Sequence, residues 1–295
     1  MITCNLGGGL GNQLFNIYTT ISFAMKTQNT FFFLNIYELK NAITERHTYW
    51  DTFFVSLKPF LRDKNILQNV QFIKETGFTY TPIKIQYDQN VTVNPSANMN
   101  ATIKMLVGYF QSPKYFEYYS TIIYRLLKID SFKIQLTEKY SNLINIDQPV
   151  SMHFRVGDYK KLPECYVILK EDYYKRALQT LLEIAQTNKT LIKKVLYFCE
   201  DQDIEDVENM ILILQLEFPE IVFERADATL EDWEQLILMS LCRYNIIANS
   251  TFSWWGAYLN TYRHKKVIYP SSWFGDKTRE THDTRDLFPA DWIKK

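Results

Sequence analysis

The chain has 295 residues, of which 46% are hydrophobic and 22% charged, and this balance excludes an intrinsically disordered protein. Lysine and arginine together equal aspartate and glutamate at 33 each, which excludes a protein that holds long nucleic acid by counterion release. The length allows two domains of about 150 residues each.

Residues 1–6 predict a buried strand that leads at once into a glycine loop, which leaves no room for a signal peptide. The sequence also contains no run of about 18 apolar residues that could span a membrane. Its four cysteines lie far apart without a C-x-x-C pair, so we expect reduced thiols and no zinc site. We therefore expect a soluble cytoplasmic protein.

Hydrophobic periodicity divides the first half of the chain into few regular elements. The predicted elements are a strand at 1–6, a glycine turn at 7–11, a helix at 12–26, a strand at 30–36, and helices at 115–127 and 133–144. The region 45–100 has no sustained period, and we expect short elements and long loops there. Asp147-Gln148-Pro149 interrupts the pattern, which predicts a domain boundary between 146 and 147.

The second half alternates strands with helices. The predicted strands are 149–155, 194–199, 221–224, 244–248 and 267–269, and the predicted helices are 172–186, 204–216, 231–242 and 252–259. Residues 229–232 show the pattern of a capping box before the third of these helices. Regular alternation of this kind predicts an α/β fold around a mainly parallel sheet.

The first candidate site is the glycine loop at 7–13, GGGLGNQ. A strand, a glycine turn and a helix N-terminus together direct backbone N–H groups at an anion. No Gly-Lys-Ser/Thr of a Walker A loop follows, Asn12 stands where a dinucleotide fingerprint has its last glycine, and the acidic residue Glu38 comes late. A tight turn that needs a positive φ is the alternative interpretation.

The second candidate is the segment 153–159, HFRVGDY. Period-two alternation places His153 and Arg155 on one face at the carboxyl end of a strand, which is where parallel sheets bind ligands. A guanidinium group can bind two phosphate oxygens at once. A simple ion pair between Arg155 and Asp158 is the alternative.

The third candidate is Glu200-Asp201-Gln202-Asp203, which follows a predicted strand. A D-x-D sequence can hold a divalent metal on the pyrophosphate of a nucleotide sugar. The spacing favours the alternative, in which Asp201 or Asp203 caps the helix that begins near Ile204.

The fourth candidate is the segment 249–256, NSTFSWWG, where a strand turns into a helix. Ser250, Thr251 and Ser253 offer hydroxyl and backbone N–H groups to a phosphate, and the alternative is an N-cap serine before two core tryptophans. Three of the four candidates follow strands of the second half. Their convergence at the carboxyl edge of one sheet predicts a nucleotide site.

Four segments together resemble the α-1,2-fucosyltransferases of bacteria, viruses and animals. They are GGLGNQLF at 8–15, GYFQS at 108–112, HFRVGDY at 153–159 and IANSTFSWWGAYL at 247–259. This resemblance covers nearly the whole chain in the expected order. It implies a GT-B-type fold of two facing Rossmann-like domains, with an acceptor-side domain at 1–146 and a GDP-fucose-binding domain at 147–295, whose C-terminal tail can return to the first domain.

The resemblance also implies the reaction, which is inverting transfer of L-fucose from GDP-β-L-fucose to the 2-hydroxyl of a terminal β-galactoside. It implies no cofactor and no obligatory metal, so the expected partners are GDP-fucose and a glycan acceptor, which we expect to contact the region 45–100. By similarity, Arg155 binds the pyrophosphate, His153 the nucleoside or phosphate, and Asp201 the guanine edge. The other residues expected to bind the donor are Asn12, Gln13, Glu200, Ser250, Thr251, Phe252 and Ser253.

The reaction needs charge stabilisation on the departing pyrophosphate, which assigns Arg155 a catalytic role, and a base for the attacking hydroxyl, for which Asp158 is the nearest carboxylate in sequence. Two departures from the family pattern weaken the donor assignment. Val156 stands where the family commonly has a second arginine, and Cys199 where it has a serine before the acidic pair. A nicotinamide oxidoreductase that uses the glycine loop, and a non-catalytic binder of nucleotide sugars or glycans, remain as alternatives.

Overall fold

The computed structural model describes residues 1–39, 46–84 and 102–295, and the chain forms two compact units. The first contains Met1–Lys128 with Thr284–Leu287, and the second Ile129–Asp283 with Phe288–Lys295. The division falls earlier than the predicted boundary at 146/147, because the helix that begins at Ile129 packs within the second unit. There the Phe132 ring contacts that of Trp233, with their centroids 5.1 Å apart.

The first unit is built on a three-stranded parallel sheet in the order β1-β7-β6. Its elements are β1 (Ile2–Cys4), α1 (Leu10–Lys26), β2 (Phe33–Leu34), β3 (Glu38–Leu39), β4 (Arg46–His47), β5 (Leu61–Arg62), β6 (Val70–Lys74), β7 (Ile103–Val107) and α2 (Ser120–Leu126). The predicted first strand and helix are confirmed. The apolar face of α1 that the sequence indicates, with Leu14, Phe15, Tyr18 and Ile21, is buried.

The strands β6 and β7 are not among the predicted elements, although their pairing makes most of this sheet, with Val70 opposite Ile103 and Ile73 opposite Leu106. The predicted helix at 115–127 is shorter than expected. Two 3-10 turns, Pro113–Tyr115 and Glu117–Tyr119, precede α2. Part of the expected irregular region, residues 85–100, lies outside the described residues.

The second unit contains a six-stranded sheet in which every pair of neighbours is parallel. Its elements are α3 (Ile129–Lys139), β8 (Val150–His153), α4 (Glu171–Thr187), β9 (Lys194–Phe198), α5 (Ile204–Glu217), β10 (Val222–Arg225), α6 (Asp232–Leu241), β11 (Tyr244–Ile246), α7 (Thr251–Tyr258), β12 (Val267–Tyr269), α8 (Asp276–Arg279) and β13 (Ile293–Lys294). The predicted α/β fold with a parallel sheet is confirmed.

The strand order β10-β9-β8-β11-β12-β13 is that of a doubly wound sheet, which starts in the middle and is extended first to one edge and then to the other. The order reverses between β8 and β11, so these two strands flank the topological switch point. Both faces of β8 are buried, as parallel sheets covered by helices require. The polar Ser151 and His153 therefore lie inside the protein.

The helix α6 begins at a capping box, but not at the predicted residues 229–232. The N-cap is Glu231, and its backbone N–H donates to a carboxylate oxygen of Glu234 at 2.9 Å. The box therefore begins two residues later than predicted and uses two glutamates. Among the helices of the described residues, none combines the length and the apolar character needed to cross a membrane.

A buried amide network fixes β11 in the sheet. The side-chain amide of Asn245 donates to the hydroxyl oxygen of Ser151 on β8 at 2.7 Å and to the carbonyl of Met239 on α6 at 2.8 Å. The Asn260 amide in turn donates to the Asn245 side-chain oxygen and to the Cys242 carbonyl, each at 2.8 Å. Because these side chains are buried away from water, each polar group has to find its hydrogen-bond partner within the network.

Replacement of Asn245 by alanine is expected to lower the free energy of unfolding by about 2 to 3 kcal/mol, because it leaves the buried Ser151 and Asn260 groups unpaired. Urea unfolding followed by tryptophan fluorescence measures the change. Asn209→Ala, on the exposed side of α5, is the control and should stay within about 0.5 kcal/mol of the wild type. Equal effects of the two substitutions would show that the network adds nothing to stability.

Candidate functional site

The candidate site lies where β8 and β11 end. These strands pair in parallel, with Met152 opposite Ile246, so the loops that follow them leave the same edge of the sheet. The Tyr159 hydroxyl in the first loop donates to the Asn249 carbonyl in the second at 2.8 Å. Two of the sequence candidates, 153–159 and 249–253, are thereby brought together at the switch point, where doubly wound sheets bind their ligands.

Arg155 is a cation at this edge, and two carboxylates bind it. Its guanidinium donates to Asp158 Oδ1 at 2.6 Å and to Glu200 Oε1, and it lies over the Tyr159 ring, 5.2 Å from the centroid. The Gln202 amide donates to the other Glu200 oxygen at 2.6 Å. The Arg155 side chain is only 16% exposed, and its charge is already paired with two carboxylates.

The aspartates of the acidic segment after β9 do not cap α5. Asp203 occupies the N-cap position of α5, yet its carboxylate makes no cap hydrogen bond and instead accepts the Gly157 N–H at 2.7 Å. Asp201 forms an ion pair with Arg225. The two carboxylates of the D-x-D sequence therefore have different partners. Within the residues that the structure describes, no three His, Cys, Asp or Glu side chains form a group that could hold a metal ion.

His153 is a neutral, unsatisfied group beside Arg155. Its side chain is 7% exposed, and its Nδ1 has no hydrogen-bond partner in the described part of the chain. Burial, together with the nearby guanidinium of Arg155, lowers the pKa of His153 to about 3. The ring lies 5.6 Å from that of Phe252, on the first turn of α7. The imidazole therefore adds no charge to this edge of the sheet.

The helix α7 begins at this site, with Ser250 as its N-cap. The Ser250 hydroxyl oxygen accepts the Phe252 N–H at 3.3 Å, while Thr251 and Phe252 are partly exposed. Ser253 is 1% exposed, and its hydroxyl donates to the Ser250 carbonyl at 3.3 Å. The Ser253 hydroxyl is used within the turn in this structure, and its contact with the donor stays a prediction.

The rest of α7 is held in the core. Trp254 and Trp255 are fully buried, as the alternative interpretation of this segment expects. At the far end of the helix, the Lys265 ammonium donates to the carbonyls of Ala257 and Asn260 at 2.9 and 2.8 Å, and burial lowers its pKa to about 8. The Lys265 cation at the C-terminus of α7 complements the helix dipole. The opposite, N-terminal end of α7 lies at the candidate site.

The glycine loop belongs to the first unit, and its donor contacts through Asn12 and Gln13 stay predictions. Gly8 has φ of +72°, and a Cβ at this position would overlap the Asn12 amide. Gln13 is fully buried, and its amide donates to the carbonyls of Gly8 at 3.0 Å and His47 at 2.8 Å. Gln13 therefore supports the loop from inside, while Asn12 is half-buried and accepts from the Gln111 amide at 3.0 Å.

Sequence reasoning missed two residues of the second unit that the structure adds to the site. Arg225 ends β10 and pairs with Asp201, and Tyr159 joins the two loops while its ring contacts the Arg155 guanidinium. The signal for Arg225 is the same as that for Arg155, namely an arginine at the carboxyl end of a strand. Tyr159 lies inside a recognised motif, but the sequence alone gives no role for it.

Comparison with known proteins agrees with a transferase. The sequence model of glycosyl transferase family 11 matches residues 1–295. An alpha-1,2-colitosyltransferase of Escherichia coli is 25% identical over all of this chain and 98% of its own length. The O-antigen biosynthesis glycosyltransferase WbnK of the same organism is 30% identical over 61% of this chain and 59% of its own. A glycosyl transferase family 9 structure from Veillonella parvula DSM 2008 overlaps 56% of this chain and 40% of that one, at 15% identity and a TM-score of 0.35.

His153 is expected to make stability depend on pH. The pKa of His153 in the folded state, about 3, lies below the ordinary value of 6.5. The free energy of unfolding that the neutral imidazole contributes is therefore fully present above pH 6.5 and is lost as the pH falls towards 3. Between pH 6 and 4.5 this group alone should lower the free energy of unfolding by about 1.4 kcal/mol per pH unit. Urea unfolding of wild type and His153→Gln should give a shallower pH slope for the variant. Equal slopes would show that His153 protonates in the fold.

Proposed function

Since the chain belongs to glycosyl transferase family 11, the α-1,2-fucosyltransferase family that its motifs predict, we propose that it transfers L-fucose from GDP-β-L-fucose to the 2-hydroxyl of a terminal β-galactoside. One observation carries the proposal, which is that Arg155 lies in the loop after β8 at the switch point of a doubly wound sheet, and that Tyr159 of the same loop donates to the loop that leads into α7. The proposal includes a GT-B arrangement, in which the second unit binds the donor.

The reaction is a single displacement with inversion. The acceptor oxygen attacks C1 of fucose, the bond from C1 to the β-phosphate oxygen breaks, and GDP leaves with the negative charge. Arg155 and the N–H groups of the first turn of α7 neutralise that charge, and their positions are fixed before the reaction begins. We propose that these groups suffice without a metal ion. His153 contributes a neutral hydrogen-bonding group at the phosphates or nucleoside.

The pairing of Arg155 has a consequence for donor binding. Asp158 and Glu200 already occupy the guanidinium, so a diphosphate must replace one of them. We propose that Glu200 is the carboxylate that moves away. Its side chain is 40% exposed, and it directly precedes Asp201 in the chain. In the bound state Glu200 and Asp201 would contact the nucleoside, with Asp201 directed by Arg225. Ser250, Thr251 and Phe252 would line the phosphates, and Asn12 would reach the fucose or phosphate from the first unit.

A second donor has specific support. The relative that matches the whole chain is named an alpha-1,2-colitosyltransferase, and colitose is fucose that lacks the 3-hydroxyl. The same leaving-group chemistry applies to either sugar, because both are carried as glycosyl esters of a nucleotide. The choice between them depends on contacts to the 3-hydroxyl, and the residues argued above act at the phosphates.

Calorimetric titration in EDTA tests the donor class directly. We expect micromolar binding of GDP and GDP-fucose, with much weaker binding of UDP-galactose and NAD. GDP-colitose in place of GDP-fucose would identify the second donor. Binding that appears only after a divalent ion is added would contradict metal independence. Binding of NAD alone would restore the oxidoreductase interpretation, and tight GDP-fucose binding without product from any β-galactoside would favour a non-catalytic binder.

Replacement of Arg155 by alanine is expected to lower kcat by ~10²–10³, because it removes a charge aimed at the departing pyrophosphate. Initial rates of GDP release at saturating donor measure this effect. Arg176→Ala is the control, since Arg176 is exposed on α4 and should leave the rate unchanged. Unchanged circular dichroism of both variants would show that the fold is intact, and near-normal turnover by the Arg155 variant would contradict the proposal.

Replacement of Asp158 by asparagine separates two roles for this carboxylate. As the base that takes the proton of the acceptor hydroxyl, Asp158 is expected to contribute ~10²-fold or more to kcat. The variant should keep its affinity for GDP, or gain affinity, because the substitution removes one of the two negative charges on Arg155. If kcat stays within a few fold of wild type, Asp158 only orients Arg155 and another group takes the proton.

A further inference from the structure

The segment Gly108-Tyr109-Phe110-Gln111-Ser112 has no role in the proposed donor site, although it is one of the four family motifs. It follows β7, the central strand of the first unit's sheet, and therefore leaves the carboxyl edge of that sheet. Glu75 follows β6 at the same edge, with its N–H donated to the Val107 carbonyl at 2.9 Å. Parallel sheets place ligand-binding groups at this edge.

The backbone of the segment is held from both sides. The Glu75 carboxylate accepts the N–H of Tyr109 at 2.7 Å and that of Phe110 at 3.0 Å. The side-chain amide of Asn16, on α1, donates to the carbonyls of Gly108 and Tyr109 at 3.1 and 3.2 Å. Both polar groups of the Tyr109 peptide unit are thus bound to buried or half-buried side chains, which fixes the direction of its Cβ.

This backbone conformation also restricts the sequence. A Cβ at Gly108 would overlap that of Glu75, so the close approach requires glycine. Phe110 has φ of +51°, in the left-handed region that non-glycine residues seldom adopt. Its ring is buried against Tyr115, with the centroids 5.3 Å apart and in edge contact. Strain of this kind persists only where the surroundings impose it, and it marks functional loops.

The side chain that this fixed main chain presents to solvent is the aromatic ring of Tyr109. The side chain of Tyr109 is 52% exposed, although both of its neighbours are packed and its main chain is fixed. An exposed aromatic face is a suitable surface for the apolar face of a pyranose, and because the main chain is already fixed, stacking has to order only the side-chain torsions of Tyr109. The next residue but one, Gln111, binds Asn12 of the glycine-loop helix, so the ring belongs to the same edge as that loop.

We propose that Tyr109 is the stacking surface for the acceptor sugar, a β-galactoside or similar pyranoside, and that Glu75 is the positioning residue that holds the ring in place. This assignment rests on the proposed function, which supplies the sugar acceptor. Tyr109 contributes affinity for the acceptor and has no part in donor binding. Glu75 acts only through the Tyr109–Phe110 backbone, because its two oxygens are already occupied by these N–H groups and the Tyr115 hydroxyl.

The test measures initial rates with saturating GDP-fucose and varied methyl β-D-galactopyranoside. Tyr109→Ala should raise the KM for the galactoside roughly tenfold, the size of one aromatic contact, while Tyr109→Phe stays within about twofold. The Kd for GDP should be unchanged in both. Tyr118→Ala is the matched control, since Tyr118 is a more exposed tyrosine of the same unit, and it should leave the galactoside KM unchanged.

Glu75→Ala should also raise the galactoside KM, but should add nothing when combined with Tyr109→Ala, which a purely structural role would not produce. A normal galactoside KM in Tyr109→Ala overturns the assignment. Saturation-transfer NMR between the protein and methyl β-D-galactopyranoside gives a readout without turnover, and we expect the signal to be lost in Tyr109→Ala. Failure of wild type to bind GDP would refute the proposed donor instead, and leaves this NMR test unaffected.

Discussion

The parallel pairing of β8 with β11 is the constraint on which the candidate site depends. These two strands lie far apart in the chain, and their side-by-side position sets where the sheet changes direction. The Asn245 amide network fixes that pairing from within the core. The hydrogen bond from the Tyr159 hydroxyl to the Asn249 carbonyl joins the two loops that follow these strands. His153 and Arg155 at the end of β8 and Ser250 after β11 therefore lie at the same edge of the sheet.

Much of the second unit could be predicted from sequence because its buried strands show their period. Val150, Met152 and Phe154 alternate with polar residues, and the helices α4 and α5, which follow β8 and β9, each have a buried and an exposed side. The first unit was harder for a physical reason. Phe72 on the edge strand β6 points to solvent, which breaks the apolar pattern, and the partner β7 lies beyond a long connection. Short strands of this kind are stabilised by hydrogen bonds to a neighbouring strand, and a single sequence does not indicate which segments pair.

The candidate site shows the same division. The positions of Arg155, His153 and Ser250 follow from a general rule about strand ends, so the sequence could indicate them. The directions of side chains do not follow from that rule. Gln13 and Ser253 belong to the right motifs, yet both are buried and bound to nearby carbonyls. A motif fixes which residue occupies a position, whereas the packing of the whole unit decides whether its polar atoms face inward or outward.

The two carboxylates on Arg155 also affect how the site responds to small inorganic anions. A lone arginine at a helix N-terminus would attract inorganic phosphate and sulfate, but Arg155 together with Asp158 and Glu200 carries a net charge of about −1 at neutral pH. A small anion therefore meets no excess positive charge at Arg155. If the proposed donor binds here, its base and sugar would supply the further contacts needed to replace a carboxylate, and the same ion pairs would protect the site from competition by phosphate.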